Sequence, residues 1–271
     1  MADTPQPDHR DVDLWEEHAA LYVRTLGAAC AGPAVPLLDA AQVGPGTRVL
    51  DVGTGPGTVA AVAADRGAAV TAVDPSPAML RLARAAAPRA RTLVAALPRL
   101  PFPDASFDVA VGNFVLGHAG PAQAVVAELR RVVRPGGRVG LTCWTDVPAA
   151  GQTLVGRALH AAGVPRVPLE HLRPPRSGHP GDPAGMARLL GGAGLRTALC
   201  RVVAWDHRVD AAAWSEGLAR LLGTGLLTAP APDRATVDRV LGHAAALSTP
   251  FLSPEGELRL PHVALLAHGW R

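Results

Sequence analysis

Residues 50–57 read LDVGTGPG, a glycine-rich stretch at the end of a short hydrophobic run. Glycine adopts positive φ angles and lets the backbone approach a neighbouring group closely. Such a turn is therefore either simply tight or shaped to receive a ligand. Asp51 stands near its start, and Gly53, Gly55 and Gly57 follow at alternate positions. The flanking sequence decides between the two interpretations.

Hydrophobic strands alternate with amphipathic helices on the carboxyl side of this turn. We predict strands at residues 48–52, 69–74, 91–96 and 107–114, helices at 58–66, 77–87 and 121–133, and a turn into another strand at 134–144. This alternation predicts an α/β fold with an open, doubly wound, mostly parallel sheet. Ligands bind such sheets at the carboxyl ends of the strands, where LDVGTGPG lies. The turn is therefore predicted to receive a ligand.

The rest of the chain is predicted to flank this core within a single domain, 1–271. Residues 1–44 form N-terminal helices, residues 45–145 the ligand-binding core, residues 146–259 a lid and helical cap, and residues 260–271 the last strand. Within the third segment a Pro-rich connector at 165–183 is typical of a lid. It is followed by a helix at 183–194, a strand around 197–205, and helices from 211 to about 247 that are interrupted at 228–232.

Composition excludes several classes of function. The chain has 271 residues and a formal net charge of +3, without a basic stripe interleaved with aromatic residues, so no nucleic-acid partner is expected. No apolar run reaches the length of a membrane span and the N-terminus is polar, so we expect a cytoplasmic protein with no membrane partner. Cys30, Cys143 and Cys200 are too few and too scattered for a disulfide framework or a zinc site. We therefore expect buried thiols and no metal.

The glycine spacing separates two classes of adenosine-containing ligand. A dinucleotide fingerprint has the spacing G-x-G-x-x-G, whereas Gly53, Gly55 and Gly57 give G-x-G-x-G. Asp74 ends the second predicted strand, where a carboxylate can accept hydrogen bonds from both ribose hydroxyls. Together these features favour S-adenosylmethionine over a dinucleotide.

A family resemblance agrees with this interpretation over about residues 45–145. The runs VLDVGTGPGTVA, VTAVDPSPAMLRLARA, LPFPDASFDVAV and ELRRVVRPGGRVGLTCW resemble the class I S-adenosylmethionine-dependent methyltransferases, in particular the small-molecule branch similar to the ubiquinone and menaquinone C-methyltransferases. The resemblance implies a Rossmann-like, seven-stranded sheet whose last strand, here 260–270, is antiparallel. It also implies S-adenosyl-L-methionine as cofactor and S-adenosyl-L-homocysteine as product.

The resemblance further implies roles for individual residues. Asp51 and the turn would hold the methionine end, Asp74 the ribose, and Met79 the adenine. The family's adenine-binding Asp is replaced by Ala96, so backbone groups near Leu97 would contact the adenine. The cofactor-binding set is Asp51, Gly53, Thr54, Gly55, Gly57, Asp74, Pro75, Met79, Ala96, Leu97 and Asn113. Three structural alternatives stay open: the backbone donors of the turn satisfy Asp51, Asp74 caps the following helix, and Met79 fills the core.

Candidates for chemistry on the acceptor are fewer. His118 follows the fourth strand in NFVLGHAG and is a candidate general base, with a helix cap as the alternative. The candidate substrate-binding residues are Tyr22, Trp15, His171, Arg173 and Arg176. Ordinary packing also explains Trp15 and Tyr22, and a solvated loop explains the other three. RPGG at 134–137 is interpreted as a turn, and Glu128 as a support for neighbouring turns or a partner of an arginine on its helix.

The sequence thus predicts a methyltransferase that modifies O, N or C of a small organic metabolite, as a monomer or homodimer. An Asn/Asp/Ser-Pro-Pro-aromatic motif after the fourth strand is absent, which argues against planar amino groups of nucleic acids and protein amides as acceptors. A Pro-Cys nucleophile is absent too, which argues against cytosine C5. A cyclase or rearrangement catalyst on the same fold, and a non-catalytic cofactor-binding protein, remain alternatives.

Overall fold

A computed structural model of the protein describes residues 18–165, 180–224, 227–228 and 230–271, apart from the side chains at 197 and 198. Its strands are β1 Arg48–Val52, β2 Ala69–Asp74, β3 Arg91–Val94, β4 Phe107–Asn113, β5 Val133–Trp144, β6 Arg196–Asp210 and β7 Glu257–Trp270. They form one seven-stranded sheet in the order β3-β2-β1-β4-β5-β7-β6. Strands β1 to β5 pair in parallel, and β7 is antiparallel to both β5 and β6. The predicted fold class and antiparallel last strand are confirmed.

Helices flank both faces of this sheet. They are α1 Leu26–Ala29, α2 Ala34–Ala40, α3 Thr58–Asp65, α4 Pro77–Ala86, α5 Ala122–Val132, α6 Ala150–Ala161, α7 Pro183–Gly192, α8 Ala211–Gly223 and α9 Arg234–Ser248. Residues 18–24 are also helical. The predicted interruption between α8 and α9 is confirmed, whereas α6 was not predicted, and β6 begins earlier and extends further than expected. No helix in the described parts of the chain is both long and apolar enough to cross a bilayer.

Alternating side chains of the central strands enter two different cores. Leu50 and Val52 pack in the cluster that contains α5 and α7, whereas Val49 packs with α2 and α3. A parallel sheet covered by helices on both faces buries successive residues of a strand, which explains the nearly continuous hydrophobic runs. Burial on both faces leaves the strand ends as the places where polar side chains meet a crevice.

The RPGG segment differs from the prediction. It lies inside β5 and not in a turn before it: Val133 pairs with Phe107, and the next paired residue of β5 is Arg138. Gly136 has a φ of 75°, and its N–H donates to the carbonyl of Arg271. The extra residues therefore form a bulge that the chain terminus stabilises, while strand pairing resumes beyond it.

The hairpin of β6 and β7 extends beyond the carboxyl end of β5. Pairing between β5 and β7 ends at Trp144 and Ala264, but β6 and β7 remain paired to Asp210 and Glu257. We call residues 204–210 and 257–263 the overhang. Its residues Leu258 and Leu260 pack with α6, α8 and α9 in one hydrophobic cluster. The overhang and these three helices form a cap beyond the carboxyl end of β5.

Candidate functional site

The three glycines of the turn after β1 have different reasons to be glycine. Their φ angles are 64°, 53° and 90° for Gly53, Gly55 and Gly57, in the left-handed region. A Cβ on Gly53 would lie 2.8 Å from Cγ2 of Val115, and one on Gly57 would lie 2.7 Å from Cα of Ala83. A Cβ on Gly55 would meet no atom within 4 Å. The outer two glycines are therefore required by packing, whereas Gly55 borders open space that a ligand can enter.

Asp51 stabilises the conformation of this turn through hydrogen bonds. It is buried, it accepts a hydrogen bond of 2.7 Å from Oγ1 of Thr54, and it also accepts one from the backbone N–H of Ala60. Burial raises the pKa of Asp51 to about 7, against the opposing effect of these hydrogen bonds. Asp51 thus ties the end of β1 to the first turn of α3, as its structural alternative states.

Asp74 connects the glycine turn to the loop after β2. Its Oδ2 accepts from the N–H of Gly55 at 2.9 Å, and its Oδ1 accepts from the N–H of Ser76 at 2.9 Å. The residue that caps α4 is Ser76, whose hydroxyl accepts from the N–H of Met79. The interpretation of Asp74 as the cap is therefore wrong. Each Asp74 oxygen retains a second lone pair, so the carboxylate can accept further hydrogen bonds.

The N-terminal helical segment covers the ends of β2 and α4. Met79 is buried with Ala19 and Ala78, and the ring of Tyr22 packs against the same cluster. The hydroxyl of Tyr22 shares a hydrogen bond with the thiol of Cys30. Burial, and to a smaller degree the charges of Cys30 and Asp74, raises the pKa of Tyr22. Tyr22 thus lies beside Asp74, the predicted ribose site.

The loop after β3 runs alongside Asp74. The N–H of Ala95 donates to the backbone carbonyl of Asp74, which attaches the segment leading to Ala96 and Leu97 to the end of β2. Leu97 is buried in the core cluster beside α5. Ala96 forms an isolated bridge with Arg99. Both predicted adenine-side residues therefore lie at the same edge of the sheet as the glycine turn.

Glu128 and Arg131 of α5 hold the connector that follows. Oε1 of Glu128 accepts from the N–H of Leu100 at 2.7 Å. Arg131 pairs with Glu128 and Asp104 and donates to the carbonyls of Leu100 and Phe102. Both proposed roles of Glu128, support of a neighbouring turn and pairing with an arginine on its helix, are confirmed.

Asn113 joins three segments at the end of β4. Its Nδ2 donates to the carbonyl of Cys30 at 2.9 Å, and its Oδ1 accepts from Oγ1 of Thr142 at 2.6 Å. These bonds attach the N-terminal segment to the ends of β4 and β5. Asn113 therefore shapes the crevice floor next to the predicted methionine end.

A cluster of rings that the sequence analysis did not identify lies at the carboxyl end of β4 and β5. Its members are Phe114, Trp144, Trp205, His207 and His262. Phe114 stacks on Trp144 with 4.1 Å between ring centroids, and Trp205 stacks on the His262 ring at 5.6 Å. The cluster combines the ends of β4 and β5 with residues inside β6 and β7, which are far apart in sequence. No local spacing signals it, and the register of β6 with β7 alone places Trp205 opposite His262.

The remaining candidates lie elsewhere. His118 is exposed in the turn after β4, where its backbone N–H donates to the carbonyl of Val115. Trp15, His171, Arg173 and Arg176 lie outside the described residues. Their proposed contacts with a substrate stay predictions.

Comparisons with known proteins agree with this geometry. Residues 50–141 match the family model described as a methyltransferase domain. An uncharacterized protein of Mycobacterium tuberculosis is 36% identical over 148 residues, which cover 51% of this chain and 54% of the relative. The demethylmenaquinone methyltransferase of Beutenbergia cavernae is 39% identical over 113 residues, 42% of this chain and 47% of that enzyme. The chain thus aligns with about half the length of the curated relatives it matches.

Solved structures share the fold at low sequence identity. The cyclase SpnF superposes with a TM-score of 0.60 at 18% identity and covers 99% of both chains. The YcgJ protein of Bacillus subtilis gives a TM-score of 0.53 at 18% identity, covering 88% of this chain and 98% of its own. Residues 50–141, which contain the glycine turn, Asp74 and β4, therefore match a methyltransferase domain, and the chain shares its fold with these solved structures.

Proposed function

We propose that the protein is an S-adenosylmethionine-dependent methyltransferase that transfers a methyl group to oxygen, nitrogen or carbon of a small organic acceptor. The observation that carries the proposal is the link between Asp74 and Gly55 at the carboxyl edge of the sheet. It lies inside the stretch that matches the methyltransferase domain family. The demethylmenaquinone methyltransferases among the curated relatives, which act on a small molecule by name, support the acceptor class.

The residues present fit S-adenosylmethionine. The open space at Gly55 admits a ligand against the backbone. Because Asp51 already accepts from the N–H of Ala60 in the first turn of α3, we assign the amino-acid end of the cofactor to the glycine turn and not to the helix N-terminus. The free lone pairs of Asp74 suit ribose hydroxyls. Phosphoethanolamine N-methyltransferase 2 of Haemonchus contortus, a structural neighbour with a TM-score of 0.54 at 16% identity over 88% of this chain and 52% of its own, was solved with S-adenosyl-L-methionine.

The contribution of this chain to the reaction is binding and orientation. When bound, the cofactor supplies an electrophilic methyl group on a sulfonium sulfur. Asp74 and the turn would hold the cofactor, and the cap of α6, α8 and α9, which packs on the overhang, would limit the access of water to the site. A nucleophile held about 3–3.5 Å from the methyl carbon then reacts without a search for orientation.

The acceptor is proposed to be small because the cap closes over this end of the sheet. The helices contribute a largely apolar cluster, including Leu218, Leu221 and Leu222, which favours an apolar metabolite. His118, exposed at the end of β4, stays a candidate base. Cytoplasmic location and a monomeric or homodimeric state remain proposals as well.

Calorimetric titration with S-adenosylhomocysteine tests the cofactor assignment. Asp74→Ala should weaken binding at least about tenfold, equivalent to the loss of one strong hydrogen bond. The matched control is Asp65→Ala, which removes an exposed carboxylate whose partner is Arg89 at the surface. Thermal unfolding of both variants checks the fold, because Asp74 also holds the turn. Equal affinities for the two folded variants would contradict the site.

Product analysis separates methyl transfer from the two alternatives. The cyclase SpnF shares the fold, so the fold alone does not discriminate. Incubation with methyl-labelled cofactor and candidate acceptors should yield a labelled product and S-adenosylhomocysteine in equal amounts. A rearranged product without label would support the cyclase, and binding without any turnover would support the non-catalytic protein.

A further inference from the structure

The ring cluster borders the crevice on the side away from Asp74. Phe114 directly follows Asn113 at the end of β4, and the next residue, Val115, contacts the site of Gly53. Trp144 ends β5, and Trp205 begins the overhang on the neighbouring hairpin. The three rings therefore continue from the glycine turn to the underside of the cap. We call Phe114, Trp144 and Trp205 the aromatic wall.

The aromatic wall is rigid and half-exposed. All three rings are neither fully buried nor fully exposed. Centroids of Trp144 and Trp205 lie 6.2 Å apart at an interplanar angle of 25°. The indole N–H of Trp205 donates to the carbonyl of Ala29 at 3.0 Å, so the ring is fixed from its polar edge. The ring faces stack on one another and on His262, so the partly exposed edges are what a planar ring can contact, in the edge-to-face arrangement that aromatic pairs also favour.

Phe114 occupies a strained conformation that directs the backbone toward this wall. Its φ is 59°, a region that costs a non-glycine residue about 1–2 kcal/mol. The stacking on Trp144 at 4.1 Å and the hydrogen bonds from its N–H to Thr142 compensate. Strain of this kind is more frequent at functional sites than in plain cores.

His262 presents an unprotonated nitrogen beside the wall. Its Nδ1 lies 2.8 Å from the carbonyl of Leu260, and because a carbonyl only accepts, Nδ1 carries the proton and Nε2 is the acceptor. The described residues provide no hydrogen-bond partner for Nε2. Burial lowers the pKa of His262, although the Leu260 carbonyl and Asp206 oppose this shift. His262 is therefore neutral near pH 7.

The surroundings of His262 keep it neutral. The ring of His207 lies 5.9 Å away in an edge-to-face arrangement. Burial and the neighbouring His262 lower the pKa of His207. The charge of Asp206 opposes the neutral form of His262 by favouring its protonated form, but the effect of burial is larger. A neutral imidazole with an available Nε2 is the form that a general base requires.

We propose that the aromatic wall binds a planar aromatic acceptor and that His262 is the general base that receives its hydroxyl proton at Nε2. The inference rests on the proposed function and specifies the acceptor class of that site. In the proposed step the O–H bond breaks, its electron pair stays on oxygen, and the proton forms the N–H bond at Nε2. The products are an aromatic oxyanion and an imidazolium. His262, and not the exposed His118, performs this proton transfer.

The test uses 4-nitrophenol as a probe, because its oxyanion absorbs visible light and its binding does not require the cofactor. Binding is measured by quenching of tryptophan fluorescence, and ionisation by absorbance about one pH unit below the pKa of the free phenol. The wild-type protein should bind the probe and increase the oxyanion absorbance. His262→Asn keeps a side-chain N–H for the Leu260 carbonyl, so it should bind the probe within about threefold while the absorbance gain disappears.

Three further variants complete the experiment. Trp144→Leu should weaken binding of 4-nitrophenol about tenfold through loss of the aromatic contact. His243→Gln, an exposed histidine of α9, is the matched control and should behave as the wild type. Proton NMR titration of the His262 ring should show it neutral at about pH 7. An absorbance gain that survives in His262→Asn, or that is lost in His118→Gln, would overturn the proposal, as would unchanged binding by Trp144→Leu.

Failure of this inference and failure of the proposed function give different results. Calorimetry with S-adenosylhomocysteine on the wild type tests the latter by itself. A wild type that ionises 4-nitrophenol but ignores S-adenosylhomocysteine would support His262 as a base and overturn methyl transfer. A wild type that binds S-adenosylhomocysteine but neither binds nor ionises the phenol would overturn the inference alone.

Discussion

Replacing Gly55 by alanine is expected to damage ligand binding without a matching loss of stability. Gly55 has a φ of 53° and a Cβ placed on it would meet no atom within 4 Å. The substitution therefore costs the left-handed conformation of an alanine, about 1–2 kcal/mol, and no steric clash in the free protein. The added methyl group projects into the space where the turn is proposed to receive the amino-acid end of the cofactor.

Gly46→Ala is the matched control. Gly46 has a φ of 76° and likewise meets no atom within 4 Å, but its N–H donates to the carbonyl of Gly67 in the turn before β1, at the opposite end of the sheet. Both variants should lose about 1–2 kcal/mol of unfolding free energy in urea. Any difference between them in ligand binding then reports position and not backbone strain.

The binding loss follows from overpacking. An extra methyl group forced into a filled site costs about 1–3 kcal/mol, which corresponds to a roughly 5- to 150-fold increase in Kd. Calorimetric titration of both variants with S-adenosylhomocysteine measures it, with Gly46→Ala expected to bind as the wild type. If Gly55→Ala and Gly46→Ala are folded and bind equally well, the open space at Gly55 is not the ligand site. The proposed function would then lose its structural support at the glycine turn.

Three further predictions concern the scaffold of the site. Gly57→Ala should cost about 2–4 kcal/mol in urea unfolding, because its Cβ would lie 2.7 Å from Cα of Ala83 in addition to the φ of 90°; a loss no larger than that of Gly46→Ala would contradict this packing. Arg131→Ala should lower the unfolding free energy by about 1–3 kcal/mol, because it removes hydrogen bonds to Glu128, Asp104 and the connector carbonyls. Arg131→Lys should restore little of this stability. Full recovery by lysine would show that the charge alone matters. Burial raises the pKa of Asp51 to about 7, so the folded state retains a proton that the unfolded chain releases, and this share of stability is lost as the pH rises from about 4 through about 7. Urea titrations of the wild type and Asp51→Asn measure this share, because the contribution of the buried histidines is the same in both proteins and cancels in the difference. The unfolding free energy of the wild type minus that of Asp51→Asn should decrease over that pH range. A difference that stays constant would refute the raised pKa.

Several elements could be predicted from the sequence because their causes are local. The strands at 48–52 and 69–74 coincide with β1 and β2, since a run of apolar β-formers between turn residues has one stable arrangement in a sheet covered on both faces. The glycine spacing indicated positive φ angles, and all three glycines have them. Glu128 was recognisable from its i,i+3 spacing to Arg131.

Other features depended on contacts between distant segments. The spacing of the three glycines does not reveal that Val115 and Ala83 exclude a side chain at two of them and leave the third open. Ser76 directly before Pro77 is itself a local signal for the cap of α4, but the bond between Asp74 and the N–H of Gly55 joins segments that are distant in sequence. The RPGG bulge likewise depends on the carbonyl of Arg271.

The sequence by itself determined the sheet, its ligand-binding edge and the Asp–glycine turn, because hydrophobic periodicity and backbone freedom are properties of neighbouring residues. Only the tertiary structure decided which side chains meet at the proposed acceptor site. His262 and Trp205 lie 57 positions apart, and their juxtaposition follows from the antiparallel register of β6 with β7. A one-residue shift of that register would turn each side chain to the other face of the sheet, so the chemistry of this region depends on strand pairing and not on any local motif.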